Sequence, residues 1–258
     1  MLDALKNHWP EYLIEAWCLG MFMLSACLFG VLLFNPRSPL IDLPFALRNI
    51  AMGIAMGATA IAIITSRWGK RSGAHFNPAV TLTLLRLKRI DGRDALFYIV
   101  LQFLGGIAGV LLSSVLLGDL LSDNAVNFVA TVPGRSGILS AFVGELVISF
   151  VMMTAVLLLS DSRLATLTPF VVGVLLAGYI AVESPVSGTS MNPARTFASA
   201  LLAGDWRGWW IYFTAPPIAM LASSEFFIRT RGLMNANRSG YRRCGSVCTD
   251  KQASRVNA

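Results

Sequence analysis

Two short segments that begin with the same three residues limit the folds available to this chain. Residues 77–88 read NPAVTLTLLRLK, and residues 192–203 read NPARTFASALLA. Asn is a preferred N-cap residue and Pro is favoured at the first helical position, so each segment predicts the start of a helix. A helix of this length rises about 18 Å, which is too little to cross a hydrocarbon core of roughly 30 Å. The sequence therefore predicts two half-helices, each capped by its own asparagine.

Six other segments are long and apolar enough to be transmembrane helices. They are about 11–34, 45–65, 95–117, 138–159, 166–183 and 208–228. The chain is 55% hydrophobic and 14% charged, with a mean hydropathy of +0.63, whereas soluble domains carry roughly 25% charged residues. This composition excludes a disordered chain and argues against a water-soluble enzyme. We predict an all-α membrane protein with six transmembrane helices and two re-entrant half-helices.

The two halves of the chain form an internal repeat. A shift of 115 residues pairs Asn77-Pro78-Ala79 with Asn192-Pro193-Ala194, Thr81 with Thr196, and Tyr98 with Phe213. Upstream, Glu15 matches Glu145 at a shift of 130, and the difference is loop length. Each repeat, about 11–117 and 138–230, holds three spans and one half-helix. Because three is odd, the second repeat starts from the opposite side of the membrane, as in transport proteins with a central site.

The basic residues predict the orientation. If the N-terminus is inside, 16 Lys and Arg residues lie in inner segments and 5 in outer segments. The positive-inside rule then places both termini in the cytoplasm. We expect residues 1–10 to be a cytoplasmic N-terminus and residues 231–258 to be a flexible basic tail that attracts anionic lipid. This sidedness explains the net charge of +7 better than binding to nucleic acid does.

The loops that precede the half-helices, 72–76 and 187–191, predict a polar track. Irregular backbone at membrane depth is tolerated where it lines a cavity, and its free carbonyls would then face a pore. Each half-helix N-terminus carries roughly +0.5 of an elementary charge, so two such ends at one place repel cations and protons. The side-chain amides of Asn77 and Asn192 can donate hydrogen bonds to a neutral molecule. This combination is typical of a pore for small uncharged solutes.

Three charged residues in the predicted spans and half-helices are candidates for a functional or structural role. Arg195 follows the second motif directly, and we predict that it lines the pore rather than snorkels to the outer interface. Glu15 and Glu145 are either a proton relay or hydrogen-bond acceptors for the loop backbone. Their matched positions in the two repeats favour the structural role. We expect Gln102 and His75 to support the re-entrant loops as well.

No pattern in the chain predicts catalysis or a bound metal. Four cysteines and two histidines give neither a disulfide framework nor a zinc site. Cys244 and Cys248 are spaced C-x-x-x-C without a nearby histidine, so we interpret them as free thiols. We therefore expect no enzyme activity, no catalytic residues and no cofactor.

The segments SGAHFNPAVTLTLLRL (72–87) and SGTSMNPARTFASAL (187–201) resemble the paired signatures of the aquaporin, or major intrinsic protein, family. The resemblance covers about residues 11–230 and suggests a bacterial-type member in the plasma (inner) membrane. It implies a channel of six helices and two half-helices, assembled as a homotetramer with one pore per subunit. It also implies that Asn77 and Asn192 hydrogen-bond to the permeating molecule.

The same resemblance suggests a selectivity filter. Thr196, Ala200 and the pair Tyr212-Phe213 are similar to the water-channel pattern rather than to that of glycerol facilitators. Water-selective members, however, have a His where this chain has Ile180. The filter that the resemblance implies consists of Met56 or Gly57, Ile180, Thr189 and Arg195. Without the His donor, the constriction is less polar and less selective for water.

Our leading hypothesis is a passive channel for water that also admits small uncharged solutes and excludes protons and ions. The alternative is a proton-coupled secondary transporter that uses Glu15 or Glu145. That alternative predicts saturable, pH-dependent flux. The absence of an acidic residue from both half-helices argues against it.

Overall fold

The structure is a computed structural model that describes residues 2–234, with side chains described for residues 5–230. This part of the chain is all helical and contains no strand. In chain order its α-helices are α1 (Leu2–Phe34), α2 (Phe45–Thr65), α3 (Arg67–Ser72), α4 (Pro78–Arg86), α5 (Gly92–Leu117), α6 (Asp119–Ser122), α7 (Ile138–Ser160), α8 (Thr168–Ser187), α9 (Pro193–Ala203) and α10 (Trp209–Met234). Two short 3-10 turns, Asn127–Val129 and Ala165–Leu167, lie in the connecting loops.

Six of these helices are long and apolar enough to cross a membrane: α1, α2, α5, α7, α8 and α10. They correspond one to one with the six predicted spans. The two predicted half-helices are also present, as α4 with 9 residues and α9 with 11. The predicted all-α fold, with six spans and two half-helices, is therefore confirmed.

Two helix ends differ from the prediction. Helix α1 begins at Leu2 rather than near residue 11, so residues 2–10 are helical. Polar contacts at and before the start of the predicted span hold this extension: the His8 Nδ1 lies 3.1 Å from the Asp94 carboxylate, Tyr12 donates to the same carboxylate at 2.6 Å, and Glu11 pairs with Arg71 at 3.0 Å. Helix α8 continues to Ser187 and ends at a glycine with positive φ. The apolar run marks the membrane segment, but it does not mark where the helix ends.

The helices pack as two similar units, and the half-helix of each unit also packs against a long helix of the other. Helix α1 packs against α5 in the first unit, and α7 packs against α10 in the second. Half-helix α4 packs against α10, and α9 packs against α5, so each half-helix also contacts the other unit. Helices α2 and α8 form a further contact between the units. This packing brings the N-termini of α4 and α9 together inside the bundle.

Glycines allow the closest helix approaches. The backbone of α1 at Ala16 and Gly20 lies where a Cβ at Gly105 or Gly109 of α5 would be, so any larger residue there would separate the helices. Gly57 of α2 lies in the same way against the carbonyl oxygen of Gly173 in α8. Small residues of this kind let membrane helices pack without a hydrophobic driving force.

Candidate functional site

The asparagine of each motif caps its own half-helix. The Asn77 Oδ1 accepts a hydrogen bond from the Ala79 N–H at 2.9 Å. The Asn192 Oδ1 accepts from the N–H groups of Ala194 and Arg195, at 3.1 and 3.2 Å. The first turn of a helix leaves its N–H groups without partners, and these caps satisfy them. Both side-chain amides are thereby held in fixed orientations.

The same two asparagines also connect the repeats. The Asn77 Nδ2 donates to the Met191 carbonyl oxygen, and the Asn192 Nδ2 donates to the Phe76 carbonyl oxygen, each at 2.7 Å. Each amide nitrogen carries two hydrogens, so this reciprocal pair of bonds uses one hydrogen from each residue. One donor hydrogen per asparagine is left for another acceptor.

A carboxylate from α1 supports the first re-entrant loop. The Glu15 side chain is completely buried. Its Oε1 accepts hydrogen bonds from the Ser72 hydroxyl at 2.7 Å and the His75 N–H at 3.0 Å, and its Oε2 accepts from the Phe76 N–H at 2.6 Å. A buried backbone N–H without a partner is costly, and Glu15 provides partners for two of them.

Glu145 of α7 does the same for the second loop. It is also completely buried. It accepts from the Ser187 hydroxyl at 2.9 Å and from the N–H groups of Ser190 and Met191, at 2.6 and 2.8 Å. Both glutamates thus contact loop backbone at matching places in the two repeats.

Gln102 and His75 extend the network around the first loop. The Gln102 Nε2 donates to the Glu15 carboxylate at 2.8 Å and to the Thr81 hydroxyl at 3.0 Å. The His75 Nδ1 lies 3.1 Å from the same Thr81 hydroxyl. Both side chains are buried. The four side chains join the first loop, α1, α4 and α5 into one hydrogen-bonded unit.

One predicted repeat pair is wrong. A shift of 115 pairs Tyr98 with Phe213, but the hydrogen bonds pair Tyr98 with Tyr212. The Tyr98 hydroxyl donates to the Ser72 carbonyl at 2.8 Å, and the Tyr212 hydroxyl donates to the Ser187 carbonyl at 2.5 Å. The spacing between half-helix and following helix therefore differs by one residue between the repeats, which a constant sequence shift does not capture.

Both re-entrant loops contain residues in the left-handed backbone region. Ala74 and Phe76 have φ of 47° and 28°, and Thr189 and Met191 have φ of 51° and 52°. Non-glycine residues adopt such angles only where surrounding contacts enforce them, and such strain is concentrated at functional sites. Among the described residues, no group donates a hydrogen bond to the carbonyl oxygens of Ala74 or Thr189. These loops therefore offer unused acceptors.

A cavity of about 420 Å³ reaches this region from the end of the bundle where α1 ends and α2 begins. Its lining includes Met56, Ile180, Thr189 and Arg195. Gly57 does not line it and instead packs against the backbone of α8. Of the two alternatives for the helix-two position, the structure places Met56 at the cavity. Three neutral side chains and one guanidinium thus line the same cavity.

Arg195 is held by a loop that the sequence did not connect with it. Its Nη1 donates a hydrogen bond to the Thr131 hydroxyl. Thr131 belongs to the segment 125–134, which contributes much of the cavity wall. Arg195 itself also lines this cavity. Its guanidinium is thus the cationic group of the cavity lining.

An ion pair also contacts the same segment. Asp205 accepts hydrogen bonds from the Arg207 guanidinium, the shorter at 2.7 Å, and from the Asn127 amide at 3.4 Å. The neighbouring Arg207 lowers the pKa of the Asp205 carboxyl below its usual value. The carboxylate therefore stays ionised over the neutral range and links the segment to the loop before α10.

Several residues at the cavity were not predicted from the sequence. Asn49 and Ser184 line it, and Thr131 holds Arg195. Glu183 accepts a hydrogen bond from Thr189. Glu183 carried a usable signal, because an acidic residue at the end of an apolar run suggests function. No sequence signal indicates Thr131, since its loop contains no recognisable motif.

Among the described residues, no group of three or more His, Cys, Asp and Glu side chains could hold a metal ion. Cys18 and Cys27 are buried free thiols in α1. Cys244 and Cys248 lie outside the described residues, as does most of the predicted tail 231–258.

Comparisons with known proteins identify the family and the fold. The family model of the major intrinsic protein matches residues 5–226. The glycerol uptake facilitator protein-like 6 of Lactiplantibacillus plantarum is 33% identical over 192 residues, which cover 71% of this chain and 85% of that protein. The aquaglyceroporin from Plasmodium falciparum has the same fold, with a TM-score of 0.73 at 18% identity, covering 88% of this chain and 98% of that chain.

Plant relatives are similar as well. Nodulin-26 of Glycine max is 33% identical over 166 residues, which cover 64% of this chain and 59% of that protein. Aquaporin NIP1-2 of Arabidopsis thaliana is 32% identical over 185 residues, or 70% of this chain and 62% of that protein. The chain therefore spans less than two thirds of the length of these two relatives. Since the family model matches nearly all of the described residues, the chain belongs to the major intrinsic protein family of multi-pass membrane channels.

Proposed function

We propose that the chain is a passive channel for water and small uncharged solutes that excludes protons and ions. The observation that carries this proposal is the meeting of the two asparagine-capped half-helices, with a cavity leading towards them. Each asparagine keeps one donor hydrogen that its hydrogen bond to the other loop does not use. A neutral molecule that passes here can accept these hydrogens and donate to the loop carbonyls.

Four side chains form the proposed selectivity filter: Met56, Ile180, Thr189 and Arg195. They come from α2, α8, the second loop and α9, and all line the cavity. The guanidinium donates hydrogen bonds and repels cations, while Met56 and Ile180 provide an apolar wall. A small polyol can then place its hydroxyl groups towards Arg195 and its C–H groups towards the apolar wall.

Proton exclusion in this proposal depends on the two half-helices together with the positive charge of Arg195. Both N-termini point at the same region, and each carries roughly +0.5 of an elementary charge. A hydronium ion would meet this field, and neither Glu15 nor Glu145 is placed to take up its proton, because both carboxylates lie outside the cavity lining and are occupied by loop N–H and hydroxyl groups. This occupation supports a structural role for both glutamates and disfavours the coupled transporter.

The solute range follows from the apolar filter and is supported by the relatives. Ile180 provides no hydrogen-bond donor, so the filter does not select strictly for water. The 33% identical relative from Lactiplantibacillus plantarum is named as a glycerol uptake facilitator-like protein. We infer that glycerol-sized neutral molecules pass together with water.

We further infer the assembly and orientation from the family and the charge distribution. The chain forms a homotetramer with one pore per subunit in the plasma (inner) membrane. Both termini face the cytoplasm, because the inner segments hold 16 of the 21 Lys and Arg residues. Proteolysis of the tail in intact spheroplasts and in inverted vesicles would test the orientation.

Stopped-flow light scattering on liposomes that contain the full chain tests the function. We expect water and glycerol permeabilities well above those of protein-free liposomes. An Ile180→Trp variant is the matched control, since the larger side chain should close the cavity without touching the re-entrant loops. Flux equal to that of protein-free liposomes for both solutes would overturn the proposal, as would wild-type flux through the Trp variant.

A further inference from the structure

Glu183 is an acidic side chain that the proposed pathway does not use. It lies in α8 and does not line the cavity, although its helix neighbours Ile180 and Ser184 do. Its Oε2 accepts a hydrogen bond from the Thr189 hydroxyl at 2.6 Å. Thr189 is one of the four proposed filter residues, so Glu183 contacts the filter from behind.

This contact determines where the Thr189 hydroxyl hydrogen points. A threonine hydroxyl has a single hydrogen to donate. In Thr189 that hydrogen is directed at α8, towards Glu183 and, more weakly, the Tyr179 carbonyl oxygen at 3.3 Å. The Thr189 N–H is also occupied, since it donates to the Ser187 hydroxyl at 3.1 Å. Thr189 is therefore left with acceptor oxygens and a methyl group for the cavity, and no free donor.

The packing around Glu183 provides a fitted place for its carboxylate. A Cβ on Gly144 of α7 would lie 2.5 Å from the Glu183 Oε1, so the carboxylate occupies the space that a glycine leaves. Within the described residues this Oε1 is buried without a hydrogen-bond partner. An ionisable group in a membrane helix is costly to bury. Here the carboxylate of Glu183 makes one short hydrogen bond, which it accepts from the Thr189 hydroxyl.

We propose that Glu183 is a positioning residue of the filter, which turns the Thr189 hydroxyl hydrogen away from the pore. The filter then has its hydrogen-bond donors on the Arg195 side and an apolar or acceptor surface on the α8 side. This separation suits a solute with hydroxyl groups along one edge and C–H groups along the other. The inference rests on the proposed channel function and adds a determinant of its polyol selectivity.

The test compares glycerol and water permeabilities of three variants in liposomes. Glu183→Met has a similar length but no acceptor, so the Thr189 hydroxyl is free to turn towards the pore and interact with water. The weaker contact with the Tyr179 carbonyl oxygen remains, so we expect the glycerol-to-water ratio to fall by up to about fivefold, the factor expected for one typical hydrogen bond. Glu183→Gln keeps an acceptor oxygen and should keep the ratio. Adding Thr189→Val to Glu183→Met removes the freed hydroxyl and should restore it.

A purely structural role for Glu183 predicts a different result. Loss of packing would lower both permeabilities together, and Thr189→Val would not restore the ratio. An unchanged ratio in Glu183→Met, or no restoration in the double variant, overturns the inference. If Glu183→Met does not fold, Gly144→Ala serves instead, because the added methyl displaces the carboxylate and should lower the ratio in the same direction. Absence of flux through the wild-type protein would contradict the channel function itself.

Discussion

The side-chain amide of Asn192 donates a hydrogen bond to the carbonyl oxygen of Phe76, 116 residues earlier in the chain, at 2.7 Å. The reverse bond, from Asn77 to Met191, has the same length. Each asparagine therefore caps one half-helix and binds the loop that precedes the other. Because both ends of each side chain are fixed, the two half-helices hold each other in place at the meeting point of the repeats.

Substitutions of Asn192 should distinguish its two structural roles, the helix cap and the hydrogen bond to Phe76. Asn192→Ala loses the N-cap, which is typically worth about 1 kcal/mol, and one buried hydrogen bond of about 1 kcal/mol. We expect the free energy of unfolding to fall by about 2 kcal/mol. Asn192→Ser keeps a capping oxygen but is too short to reach Phe76, so its loss should be about half as large. Denaturant unfolding in detergent, followed by circular dichroism, measures both, and equal losses for Ala and Ser would argue against two separate roles.

The buried glutamates should matter more for stability than for transport chemistry. Glu15→Leu leaves the N–H groups of His75 and Phe76 without their acceptor, at about 1–3 kcal/mol each. We expect little or no monodisperse protein from this variant. Gln102→Leu removes a donor to Glu15 but exposes no loop N–H, so it should fold with a smaller loss. A folded Glu15→Leu protein with a normal melting temperature would contradict the structural role.

The helices and half-helices could be predicted from sequence because their signals are local. Apolar runs of sufficient length mark the spans, and Asn-Pro at the start of a shorter run marks each half-helix. The helical extension from Leu2 could not be predicted this way, since contacts of Glu11 and Tyr12 with Arg71 and Asp94 stabilise it. A local sequence pattern carries no information on contacts between residues that are far apart in the chain.

The candidate site could likewise be predicted only in part from the sequence. The motif residues and the two glutamates were recognisable from the repeat itself. The choice between Met56 and Gly57 depended on the rotation of α2 against α8, which a one-residue gap leaves open. The contacts of Thr131 and of the Glu183–Thr189 pair could not be predicted, because they depend on how the loop 125–134 and the end of α8 fold over the cavity.

Substitutions at Met56 and Gly57 should have different consequences, because one lines the cavity and the other packs against α8. Met56→Ala shortens an apolar side chain of the proposed filter and so widens it while keeping the wall apolar, which should raise the glycerol-to-water ratio severalfold. Gly57→Ala places a methyl group against the Gly173 carbonyl, and such overpacking costs about 1–3 kcal/mol. Melting temperatures and stopped-flow ratios measured on both variants distinguish the two roles. A changed ratio with unchanged stability in Gly57→Ala would place Gly57 in the filter instead.

Arg195 should be required for ion exclusion. Arg195→Val removes the cationic group of the cavity lining and its bond to Thr131. We expect faster decay of an imposed pH gradient, measured with a pH-sensitive dye inside liposomes, while water flux persists. Arg195→Lys keeps the charge but not the planar guanidinium, so its leak should be intermediate. If the leak of Arg195→Val matches that of the wild type, Arg195 does not lie at the constriction.

Ile180 should set how strongly the channel discriminates between water and larger solutes. Ile180→His places a hydrogen-bond donor on the α8 side of the proposed filter and makes that wall polar. Water can bond to both sides of such a filter, whereas the C–H groups of glycerol lose their apolar contact. We therefore expect the glycerol-to-water and urea-to-water ratios to fall, and Ile180→Leu, which keeps the wall apolar, to leave both near their wild-type values. If the His variant also keeps those ratios, α8 contributes no filter residue at this position, and solute selection must depend on Met56, Thr189 and Arg195.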